Sequence, residues 1–93
     1  MRTIKRLRQF KRDYKREAKG QHRLTLDDSL QDVLTLLVND LPLEPRHHDH
    51  PLTGNWQDHR DCHVKPDLVL IYQKPDDDTL SLVRLGSHSE LGL

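Results

Sequence analysis

Leu68-Val69-Leu70-Ile71-Tyr72, followed by Gln73-Lys74-Pro75-Asp76-Asp77-Asp78 and then Thr79-Leu80-Ser81-Leu82-Val83-Arg84-Leu85, is the stretch that decides the fold. Its first segment is a short continuous apolar run, the pattern of a strand buried on both faces. Its last segment alternates with period two. Pro75 to Asp78 is a cluster of turn formers, so residues 68–73 and 79–85 read as an antiparallel hairpin. Upstream, Arg60 to Val64 reads as a further strand. Residues 46–58 are polar and histidine-rich and contain Pro51 and Gly54, which predicts an irregular connection.

The N-terminal half has a different period. Arg2-Thr3-Ile4-Lys5 reads as a short strand. Leu7, Phe10, Tyr14 and Ala18 then recur at spacings of three and four, one stripe of a basic helix over 5–19 that Gly20 stops. Thr25-Leu26-Asp27-Asp28 resembles a capping box, with Thr25 accepting from the N–H three residues on. The acidic pair suits the positive end of the helix dipole. Leu26, Leu30, Val33, Leu34 and Leu37 give the strongest helical periodicity in the chain, ended by Pro42 and Pro45. Helices followed by short antiparallel strands predict an α+β fold, two N-terminal helices packed on one face of a small twisted antiparallel β-sheet.

Ninety-three residues suffice for one domain, 1–93. No apolar run approaches the ~20 residues of a membrane span, and no secretory leader is evident, so a cytoplasmic protein with no membrane partner is expected. The single cysteine, Cys62, excludes an internal disulfide and a tetrathiolate metal site. The net charge of zero hides a segregation. Residues 1–23 carry ten Lys/Arg against Asp13 and Glu17, a net of +8, and the rest of the chain carries −8. Such asymmetry suits a polyanion or an acidic partner on the basic segment, or a solvated helix whose cations pair with acids elsewhere in the fold.

Five of the seven histidines, His47, His48, His50, His59 and His63, lie within seventeen residues, interspersed with Asp49, Asp58 and Asp61, and Asp67 follows. Imidazole holds or gives a proton near neutral pH, so acid–base chemistry is one reading. A zinc site is a second: His48 with His50, or His50 with Asp61 and His63, offers ligands, although no pair has the spacing of known motifs. A solvated polar loop, with His63 a half-buried strand residue, is a third. Spacing alone leaves all three open.

The order of the residues adds a resemblance. Asp49-His50-Pro51-Leu52-x-Gly54-x-Trp56, Arg60-Asp61-x-His63-Val64-x-Pro66-Asp67, Leu70-Ile71-Tyr72 and Arg84-Leu85-Gly86-Ser87-His88-Ser89-Glu90-Leu91 together resemble the YafQ branch of the RelE/ParE toxin superfamily. The likeness runs from about residue 41 to the end. The N-terminal half shares only the layout of strand, basic helix and second helix. The resemblance implies a toxin of a type II toxin–antitoxin pair, a metal-independent endoribonuclease cutting mRNA, typically on the ribosome, with no cofactor. The chemistry would be attack of a ribose 2′-hydroxyl on the adjacent phosphate, which needs a base, an acid and donors for the phosphorane charge.

Residue by residue, the resemblance implies that His50 is an acid or base and that Asp61 and His63 share one face of a strand. It makes Asp67 a base or a residue orienting an imidazole, Arg84 the stabiliser of phosphate charge, and His88 the first choice as general acid. His47, His48 and His59 match no family position and read as loop residues. Trp56 reads as core rather than a stacking platform. Gly92 stands where the family has a phenylalanine that could stack on an RNA base. Lys5, Arg6, Arg8, Lys11, Arg12, Lys15 and Arg16 would meet ribosomal RNA phosphates. The resemblance also implies a cognate antitoxin laid over the active-site face, with operator DNA bound only through it, and no zinc site. The rival readings are a non-catalytic module that binds antitoxin or RNA, and a gyrase inhibitor like the ParE relatives, against which the histidine–aspartate set argues.

Overall fold

The computed structural model describes residues 1–93. In chain order the elements are β1 (Thr3–Arg6), α1 (Arg8–Glu17), α2 (Leu26–Val38), a 3₁₀ turn (Pro45–His47), β2 (His50–Pro51), a second 3₁₀ turn (Gly54–Trp56), β3 (Arg60–Lys65), β4 (Leu68–Gln73), β5 (Thr79–Gly86) and α3 (His88–Leu91). The strands form one five-stranded sheet in the order β1-β5-β4-β3-β2. The β4–β5 hairpin forms as its sequence predicts. Apolar β4 occupies the centre, where Leu68, Val69, Leu70 and Ile71 lose all contact with water.

One face of the sheet meets α1 and α2. Leu26, Leu30, Val33, Leu34 and Leu37 form the helical side of a core closed from below by Cys62, Val64, Leu68, Leu70, Tyr72, Leu80, Leu82 and Leu85. The other face carries a smaller cluster of Val69, Ile71 and Leu91, with Leu52, Trp56 and Val83 at its margin. It is covered by α3, a third helix beyond the two expected.

Four expectations change. First, β1 pairs with β5 in parallel, so the sheet is mostly and not wholly antiparallel. Strand direction at an edge follows from how the chain crosses the core, which a four-residue polar strand does not encode. Second, the helix starts at Arg8, and Lys5 and Arg6 belong to β1, because pairing of Thr3–Arg6 with Thr79–Leu82 takes up that backbone. Third, Thr25 caps α2 by position but makes no side-chain cap bond; the Leu26 and Ser29 N–H groups bond the carbonyls of His22 and Thr25.

Fourth, the capping box forms at the other end of the chain. The Ser87 hydroxyl accepts from the Glu90 N–H at 3.1 Å and the Glu90 carboxylate accepts from the Ser87 N–H at 2.9 Å. Gly92 closes α3 at φ 72°, with the Leu93 N–H bonded to the His88 carbonyl. A glycine meets this left-handed closure at little cost. The residue departing from the family pattern therefore has a local backbone role.

Candidate active site

Two residues apart on β3, Asp61 and His63 point to the face away from α1 and α2, as alternation requires. In register they stand opposite Ile71 and Val69. β2 sets His50 beside Asp61 on the neighbouring strand. From the end of β5 the Ser87 box starts α3, whose first residue is His88. The ring of His88 lies 5.0 Å from that of His63, inclined by 60°. Thus His50, Asp61, His63 and His88, separated by up to 38 positions, meet on one face.

The His50 Nδ1 lies 3.1 Å from Asp61 Oδ1, but it is closer to the His48 carbonyl, at 2.6 Å. A proton on Nδ1 goes to that carbonyl, leaving Oδ1 of the buried Asp61 without a hydrogen bond. Burial pushes the Asp61 carboxyl above its ordinary range, against the attraction of His50, His63 and His88. His63 moves the opposite way. Burial disfavours its cation, with the neighbouring His88 and His48 acting in the same sense and Asp61 opposing. A cavity of about 460 Å³ opens beside this group, lined by His50, Asp61, His88, Leu52, Thr53, Asn55, Trp56, Gly92 and Leu93. Trp56 is half-buried, packing on the lesser core with one side while lining the cavity, so it is neither purely core nor a free platform.

Asp67 does not join the group. It sits in the β3–β4 turn, past a register shift between His63 and Lys65 that breaks the alternation leading from Asp61. There it pairs with His22 Nε2 at 2.9 Å and accepts from Gln21 at 3.0 Å. Arg84 is also committed elsewhere. Its Nε and Nη2 donate to Asp13 at 2.7 and 3.3 Å, leaving Nη1 as the nitrogen without a protein partner. Arg16 is exposed like the rest of the basic set, but its guanidinium is engaged by the protein. It bonds Asp13, Glu17 and the Leu85 carbonyl and lies 3.2 Å from Glu90. It crosses Gly86 so closely that a β-carbon there would be 2.8 Å from its Nη2. Lys5, Arg6, Arg8, Lys11, Arg12 and Lys15 are exposed.

Three residues of the site region escape the sequence reading. Asp13, flanked by cations on a basic helix, is fully buried. His47, read as loop, is buried with Nδ1 2.6 Å from the His63 carbonyl oxygen. His48, also read as loop, lies with its ring 5.2 Å from that of His63. His59 packs edge-on against Trp56 at 5.5 Å. A larger groove of about 580 Å³ lies between α1 and α2, with Phe10, Tyr14, Leu30 and Leu34 as its floor. It lies apart from the imidazoles. No group of three or more His, Cys, Asp or Glu is arranged to hold a metal ion.

Comparison with known proteins gives a consistent family. The family model described as a bacterial toxin of type II toxin–antitoxin system, YafQ, matches residues 2–92. A curated relative from Escherichia coli, described as an mRNA interferase toxin YafQ, is 40% identical over 84 residues, covering 89% of this chain and 87% of its own. The crystal structure of the E. coli DinJ–YafQ toxin–antitoxin complex contains a chain that superposes with a TM-score of 0.79 at 41% identity, covering 97% of this chain and 96% of that one. A toxin from Helicobacter pylori, described as metal-bound, superposes at 0.80 with 44% identity over 98% of this chain and 99% of its own. A metal does therefore accompany one relative, which the resemblance alone did not imply.

Proposed function

The chain belongs to the YafQ family of type II toxin–antitoxin toxins, and from that premise we propose that it is an mRNA endoribonuclease using histidine acid–base chemistry, held in check by a cognate antitoxin. The observation that carries the reading is the approach of His63 and His88 to 5.0 Å on the face that also holds Asp61 and His50. His63, its cation disfavoured by burial, stays neutral at neutral pH and takes the 2′-hydroxyl proton. The 2′-oxygen bonds to phosphorus and the bond from phosphorus to the 5′-oxygen breaks. His88 gives that oxygen its proton, and a 2′,3′-cyclic phosphate remains. His50 and Asp61 line the cavity, and the half-exposed His50 imidazole is the group that orients the ribose. Nη1 of Arg84 is the guanidinium nitrogen open to phosphate charge, its plane held by Asp13.

Escherichia coli YafQ is found in complex with the antitoxin DinJ. For this chain the corresponding partner is an antitoxin whose acidic segment covers the imidazole face, operator DNA being bound through that partner alone. mRNA held in the ribosome is the substrate. No helix is long and apolar enough to cross a membrane, in keeping with a cytoplasmic site of action.

The test is to express the chain from a tight promoter and map RNA ends in translating cells. Cuts within codons support the activity. A chain that binds antitoxin but leaves RNA intact is the non-catalytic module, and DNA damage without RNA cuts is gyrase poisoning. The metal question has its own measurement: cleavage survives chelator treatment, and loss in EDTA with recovery on zinc would assign catalysis to a metal.

The exposed cations of β1 and α1 supply a second expectation. Each phosphate that a cation neutralises contributes about 0.7–0.9 to the steepness with which log affinity falls against log salt. Replacing Lys11, Arg12 and Lys15 with Gln should lower that steepness for ribosome binding by roughly two, read by cosedimentation across a salt series. An unchanged slope would move the RNA contact off this face.

A further inference from the structure

His47 and His48 stand on one tight turn and reach His63 by different routes. His47 is buried, and its Nδ1 lies 2.6 Å from the His63 carbonyl oxygen. Its partner is an acceptor, so Nδ1 carries the proton. His48 closes the 3₁₀ turn in the left-handed region, at φ 46°. That conformation is uncommon outside glycine, and it turns the two neighbouring side chains in different directions. The His48 ring ends 5.2 Å from that of His63, inclined by 59°. Both residues precede the Asp49-His50-Pro51-Leu52 segment that carries the family resemblance.

We propose that His47 and His48 are positioning residues for His63, His47 holding its main chain and His48 holding its ring. The inference rests on His63 as the base of the proposed reaction. Two observations make the clamp necessary. His63 lies at the last regular pair of β3 before the register slips between His63 and Lys65, and a bulge re-aims a strand's side chains unless another contact restrains it. The His63 ring is also half-exposed, with the His88 ring at 5.0 Å and the Pro66 main chain as its other neighbours.

The charged groups around the ring come from three elements: Asp61 from its own strand, His88 from α3 and His48 from the 3₁₀ turn. From β4 it faces Val69, which has no charge. The neighbouring His48 disfavours the His63 cation, reinforcing burial. Asp61 opposes this. Removing His48 therefore makes His63 easier to protonate and moves the acid limb of activity to higher pH.

The experiment is an NMR titration of the His63 ring in the isolated protein, with pH–rate profiles for RNA cleavage alongside. His48→Gln should raise the His63 midpoint by up to about half a pH unit, the size of a unit-charge interaction at ~5 Å in a water-like medium. His48→Lys places a fixed cation at that position and should hold the midpoint at or below that of wild type. His47→Phe keeps a ring but no donor and should lower cleavage at every pH, while His47→Asn, with an amide donor near Nδ1, should restore most of it. Identical midpoints in wild type and His48→Gln would overturn the role of His48. Equal cleavage by His47→Phe and wild type would overturn that of His47. The His63 ring signals report both arms without RNA cleavage, since His47→Phe should also displace them and His47→Asn return them towards wild type, so loss of the proposed activity and loss of the clamp are separate results.

Discussion

Replacing His88 with alanine should lower RNA cleavage by on the order of 10²–10⁴-fold, the range that one positioned acid contributes. The fold should barely respond. His88 is exposed, and the bonds that build α3 run through Ser87, Glu90 and the main chain. Alanine at the first helical position retains all of them. The measurement is single-turnover cleavage paired with a thermal melt of the same preparation. A large loss of rate at an unchanged midpoint assigns chemistry to the imidazole. Equal rates would remove His88 from the reaction. Equal harmlessness of both chains in cells, with antitoxin binding intact, would replace the enzyme reading with the interaction module.

Replacing Asp13 should have the largest effect on stability. Its carboxylate is fully buried and accepts four bonds: Arg84 Nε and Nη2 at 2.7 and 3.3 Å, Arg16 Nη1 at 3.2 Å and the Leu85 N–H at 3.0 Å. Together these tie α1 to the C-terminal end of strand β5, just ahead of α3 and His88. Removing one partner of a fully buried ionic pair costs about 3–5 kcal/mol. Here the guanidinium groups left behind are 22% and 42% exposed and recover part of their hydration, which draws the cost towards the lower figure. A small domain holds only about 5–15 kcal/mol in all, so Asp13→Ala should bring the chain near unfolding. The exposed pairs of Asp40 with Arg2 and Lys74 belong to a class worth little by comparison. Urea unfolding would read the difference. A loss below about 1 kcal/mol would mean that water replaces the carboxylate at no great cost.

The same carboxylate gives the acid limb of stability its sign. Burial alone would raise its pKa, but the Arg84 and Leu85 hydrogen bonds and the Arg84 charge outweigh burial and hold it below the usual range. A folded value below the unfolded one means that the stabilisation is complete above the unfolded value. It is lost as pH falls through that value towards the folded one. Asp13→Asn, with no proton to gain, should flatten this limb. A limb of wild-type steepness in the variant would assign it to other carboxylates.

Legibility differs from residue to residue for physical reasons. The leucine stripe of α2 is readable because burial on one side repeats with the helical period, and the hairpin because a turn separates two strand-length apolar segments. His50, Asp61, His63 and His88 are readable through the order of their motifs. Asp13 is not, because a buried carboxylate on a cationic helix has the same local sequence as a solvated one. Its burial depends on Arg84, 71 positions away. α3 has a signal in Ser87-x-x-Glu90 and Gly92, but Ser87 and Glu90 also belong to the family motif and Gly92 reads as a departure from it, which hides a helix of only four residues.

From the sequence alone follow the α+β class, the two long helices, the hairpin and the imidazoles and carboxylates available for chemistry, since each rests on local periodicity or on motif order. Only the tertiary structure decided which of those groups meet. It set Asp67 against His22 beyond a register shift, committed Arg84 to Asp13 and Arg16 to the Leu85 carbonyl, and brought His47 and His48 onto His63. Such pairings are set by strand register, by the crossing of α1 over β5 and by a single left-handed turn, and no short window of sequence contains both partners.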